Sequence, residues 1–124
     1  MGRIDLSITE KKTGEWVKNR GFCRALPLEF YCEKSKDKAL QNFEYEIMTG
    51  MEIDQSNIDD FLKKVQYVIN FLSKMTEIER LTYFSHYNKQ EYDRFIEDLQ
   101  DSLHYIKEFI SQHGIDDYLI EILQ

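Results

Sequence analysis

The sequence predicts an α+β fold, an N-terminal β-hairpin of two or three strands packed on a four- to five-helix α subdomain. Three observations carry that prediction. Residues 3–10, RIDLSITE, alternate apolar and polar side chains, whereas from Ser35 onward apolar residues recur at spacings of three and four. Three polar start signals, at Ser56, Thr76 and Asn88, each stand directly before a fresh apolar period. One Pro and five Gly in 124 residues argue against both disorder and a many-turned all-β fold. At this length the chain reads as one domain, 1–124, with a β-rich part over 1–34 and a helical part over 35–124.

The elements follow in order. Ile4, Leu6 and Ile8 form one face of a half-buried strand, and Asp5, Ser7 and Thr9 the other. KKTGEW predicts a turn in which Gly14 takes the positive-φ position, so that the chain returns from Trp16 as a second strand through about Lys18. NRGF reads as a further turn, with Gly21 left-handed. GFCRALPLEFYCEK is ambiguous. Pro27 would delete a ladder hydrogen bond in a central strand, so a short helix opened by Pro27 is favoured after an extended Phe22–Leu26.

Leu40, Phe43 and Ile47 then mark a helix ended by Gly50. SNID, Ser56 to Asp59, matches a capping box and opens a run with Ile58, Phe61, Leu62, Val65, Val68, Ile69, Leu72 and Met75. TEIE, Thr76 to Glu79, starts a shorter helix with Ile78 and Leu81. NKQE, Asn88 to Glu91, starts the longest one, burying Tyr92, Phe95, Ile96, Leu99, Leu103, Ile106 and Ile110 and stopping at Gly114. A last short helix, capped by Asp116, would carry Tyr118, Leu119, Ile122 and Leu123.

Charge is the most informative bulk property. The chain carries a formal −7, and residues 1–89 are balanced. The whole surplus lies beyond them, where nine acids face only Arg94 and Lys107. Residues 1–38 run the other way, with nine bases against six acids. An acidic domain opposes binding to a phosphate backbone, so direct nucleic-acid binding is not expected despite the bases around Trp16 and Phe22. No secretory leader and no apolar run of membrane-spanning length is expected, which points to a cytoplasmic protein with no membrane partner.

Motifs for chemistry are sparse. Cys23 and Cys32 are nine positions apart, which is not a metal or redox spacing. Extended, that segment reaches about 30 Å, so a disulfide would need the chain to fold back at Pro27; both thiols are expected to act as buried apolar groups. Asp101 and His104 form a single D-x-x-H, short of the paired motifs and extra carboxylates of a di-iron bundle. MEIDQSNIDD lacks the turn glycine of a calcium loop, and Ile58 falls where an oxygen ligand belongs. Ser85 and His86 are neighbours and so point to different helix faces, with no nucleophile elbow around them. The glycines never cluster into a phosphate loop. No catalytic residue, metal or cofactor is therefore expected.

The expectation is a small, acidic, non-catalytic protein that works by binding a basic protein partner, an inhibitor of a nucleic-acid-handling protein of phage or bacterial type being one such case. The expected partner-binding residues are Tyr92, Asp93, Glu97, Asp98, Asp101, Tyr105 and Glu108 on the longest helix, where carboxylates steer encounter and tyrosines anchor it. Alternatives are a self-associating structural protein, a homodimer packed through DDYLIEIL, and a small-molecule or nucleotide binder.

Overall fold

A computed structural model describes residues 3–25 and 38–123. The elements in chain order are β1 (Arg3–Glu10), β2 (Trp16–Arg24), α1 (Lys38–Thr49), β3 (Met51–Ile53), α2 (Ile58–Ser73), α3 (Glu77–Tyr83), α4 (Lys89–His113) and β4 (Tyr118–Leu123). The four strands form one antiparallel sheet in the order β2-β1-β4-β3. The described residues thus hold four α-helices. The helix proposed at Pro27, Cys32, and the expected start of a helix at Ser35 lie outside them.

Strand β1 forms because its alternation buries Ile4, Leu6 and Ile8 completely while Asp5 and Thr9 stay half-exposed. Gly14, at φ 73°, closes the hairpin, donating its N–H to the Glu10 carbonyl at 2.8 Å. The chain does not turn again at Gly21, whose φ is not positive. Instead β2 runs on through Arg24, with a bulge where Ile4 faces Cys23 and Asp5 faces Gly21. The extra residue lets Phe22 and Cys23 both bury their side chains.

The C-terminal segment is a strand and not a helix. Ile120 and Ile122 point inward, between Ile8 and Ile53 and between Leu6 and Met51, while Glu121 points outward between Ser7 and Glu52. These isoleucines complete two rows of the buried face of the sheet, while Asp116, Asp117 and Leu123 of DDYLIEIL stay exposed. The strand Met51–Ile53, unforeseen from the sequence, forms the far edge right after Gly50, at φ 90°, ends α1.

Helices cover the isoleucine-lined face. Helix α4 packs along β2 and α2, and α1 packs on β4. Phe22, Phe43 and Phe61 meet between them, with ring centroids 5.8 Å apart for each pair that Phe61 makes. Two of the three expected caps form. Thr76 and Asn88 accept from the amides of Glu79 and Glu91, whose carboxylates accept in return from the cap amides. The third differs: α2 is capped at Asn57, with no side-chain cap bond. Ser56 is occupied with Asp54, donating to its carboxylate from both its amide and its hydroxyl, and those bonds hold the Asp54 carboxyl below the usual carboxylate range. No described helix is long and apolar enough to cross a membrane.

Candidate functional site

Helix α4 carries the residues expected to bind a partner, and its rotation sorts them. At about 100° per residue, Glu97, Asp101 and Glu108 fall within about 40° of one another. All three are exposed, on the side turned away from the core residues Leu99, Leu103 and Ile106. His104 stands among them, its Nε2 3.6 Å from the Glu108 carboxylate. Asp93 flanks this stripe but is paired to Lys89 at 2.8 Å, one turn earlier. Among the described residues no ion pair reaches Glu97 or Asp101.

The other three expected residues leave the stripe. Tyr92 is buried, donates its hydroxyl to the Leu72 carbonyl and packs against Phe84 and Phe95, so it ties α4 to α2 and is no surface anchor. Asp98 and Tyr105 turn toward β2. The Arg20 guanidinium lies 4.9 Å from the Tyr105 ring centre and the Lys18 ammonium 6.0 Å from it. Lys18 and Arg20 face Ile8 and Leu6 across the ladder and so occupy inward positions of an edge strand, where charge discourages strand-to-strand association.

The acids after α4 are also divided. Asp116 and Asp117 line a hollow of about 500 Å³ with Lys11, Lys12 and Tyr118, and the Lys11 amide donates to the Asp117 carbonyl at 3.0 Å. Two bases and three acids, Glu10 among them, thus share this hollow, apart from the outward stripe of α4.

Apolar surface stands on α3. Helix α3 leaves Ile78, Leu81 and Tyr83 78%, 51% and 48% exposed and buries Arg80 instead, whose guanidinium lies 3.9 Å from Glu77. The expected apolar face of this helix thus looks outward. The elements α2, α3 and α4 enclose a hollow of about 270 Å³ lined by Leu72, Met75, Arg80, Tyr92, Asp93 and Ile96. Only Phe84, at the C-cap three residues beyond Leu81, turns into the core.

Cys23 is buried, and desolvation, with Asp98 adding to it, pushes its thiol well above the ordinary range, so it stays protonated. Among the described residues no group of three His, Cys, Asp or Glu side chains is placed to hold a metal ion. No protein-family model, curated protein or solved structure matches this chain.

Proposed function

We propose that this chain acts by binding another protein, with the outward stripe Glu97, Asp101 and Glu108 as the docking charge and the exposed Ile78, Leu81 and Tyr83 of α3 as apolar contacts. The observation that carries this reading is the outward pole of α4, where Glu97, Asp101 and Glu108 share one exposed face and Glu97 and Asp101 lack an ion pair among the described residues. Unpaired like charges repel one another on the free protein, and a partner groove lined by Lys and Arg relieves that repulsion and speeds encounter. Such a partner is a nucleic-acid-handling protein whose phosphate groove the carboxylates occlude.

The test uses the full chain as bait. A partner captured by the wild type is basic, and its affinity falls with salt, because the pairs lie at a solvent-exposed surface. The triple variant E97K/D101K/E108K loses that partner while keeping the wild-type melting temperature. Retention of the partner by the folded triple variant removes the acidic stripe from the interface.

A further inference from the structure

The side of α4 opposite the phenylalanine cluster's far edge, where it meets β2, holds a second feature that the acidic stripe does not explain. Arg3, Arg20 and Arg24 line a hollow of about 190 Å³ with Asp98 and Ser102 of α4, over a floor of Phe22 and Cys23. An adjoining hollow of about 540 Å³ shares Arg3, Arg24 and Asp98 and adds Arg94, Tyr87, Gln90, Phe95 and the Glu91 carboxylate, which caps the start of α4. The two joined hollows are therefore lined by four arginines against two carboxylates, Glu91 and Asp98, in a protein of net charge −7.

Their placement is constrained by the backbone. Arg3 and Arg24 are direct cross-strand partners, an arrangement in which like charges destabilise the pair. The Arg3 side chain runs past Gly21, where a Cβ would meet its Cδ in ordinary contact at 3.4 Å. The Arg3 Nε donates to Asp5 at 2.9 Å, and the Arg20 Nε donates to the Gly21 carbonyl at 3.3 Å with its guanidinium stacked on Tyr105. Ser102 fixes the α4 wall by donating to the Phe22 carbonyl at 2.6 Å. Among the described residues no carboxylate pairs with Arg20, Arg24 or Arg94, and Asp98 makes no ion pair within the cleft.

We infer that this cleft binds a small phosphomonoester, the phosphate held by Arg3, Arg20 and Arg24 and its aromatic body lying against Tyr87 and Phe95. Guanidinium forks match phosphate oxygens in pairs, which an ammonium cannot do. An occupying dianion also removes the repulsion between Arg3 and Arg24. Asp98 acts against the anion and sets the affinity low. The site lies beside the acidic stripe and is independent of it.

Phenyl phosphate, inorganic phosphate and phenol are titrated into the full-length protein by calorimetry at low ionic strength. The wild type binds phenyl phosphate in preference to inorganic phosphate and does not bind phenol. Arg24→Gln weakens phenyl phosphate about tenfold, the loss of one charge-assisted pair. The same variant melts at or above the wild-type temperature without ligand, because the cross-strand repulsion is gone. Asp98→Asn tightens binding about threefold. Absence of phenyl phosphate binding at millimolar ligand overturns the inference, and so does binding that neither variant changes.

Discussion

At the scale of single residues, two buried hydroxyls do much of the positioning. Ser102 donates to the Phe22 carbonyl across 80 residues of sequence, which ties α4 to the bulge of β2. Ser102→Ala leaves that carbonyl without its donor, and a cost of about 1–3 kcal/mol in denaturant unfolding is expected. Tyr92 is the second. Burial pushes its phenol up to about 12, with Arg80 pulling the other way and Asp93 and Glu79 adding to the rise. Its folded pKa lies above the unfolded value of about 10, so its contribution is whole below that pH and is lost as pH rises through the folded value. The wild type accordingly loses more stability than Tyr92→Phe between about pH 10 and about pH 12. Parallel alkaline unfolding profiles for the two proteins would show that the phenol is not held neutral by the fold.

At the scale of elements, what the sequence made legible depended on how long a pattern ran. Helices α2 and α4 were readable because their apolar periods extend over 16 and 25 residues. Strand β4 was not, because six residues, YLIEIL, satisfy a helical spacing and an alternation equally well. Only its pairing with β1 and β3 decides, by placing Ile120 and Ile122 in the centre of the sheet. Strand β3 is three residues long and carries no period of its own. Gly21 misled for a different reason. Its φ is not positive, and it sits at the bulge of β2 opposite Asp5, a place invisible without the register. Gly114 was read correctly and is stricter than a helix stop. It holds φ 76° and ψ −179°, a region open essentially to glycine alone, and it redirects the chain from α4 into β4. Nothing lies within 4 Å of a Cβ added there, so backbone strain is the whole penalty. Gly114→Ala is expected to cost about 1–3 kcal/mol in thermal or chemical unfolding. A neutral substitution would mean that the α4–β4 connection adopts another conformation.

At the scale of the whole molecule, the charge asymmetry seen in the sequence becomes a division of surfaces. Asp98 shares a hollow with Arg3, Arg20 and Arg24, and Asp116 and Asp117 share one with Lys11 and Lys12, while Glu97, Asp101 and Glu108 remain outward. The sequence showed the surplus; helical rotation and strand register chose which acids stay free of it. Of the seven residues expected to bind a partner, three form the stripe and a fourth, Asp93, flanks it. The apolar surface of α3 comes in place of Tyr92. This arrangement predicts a localised response to a partner. The most direct measurement is the amide NMR spectrum of the ¹⁵N-labelled chain titrated with the partner that it captures. Docking through the acidic pole predicts perturbed amides confined to residues 78–83 and 97–108, whereas perturbations on the exposed face of the sheet, around Trp16, Leu119 and Glu121, with α4 unchanged, would contradict it.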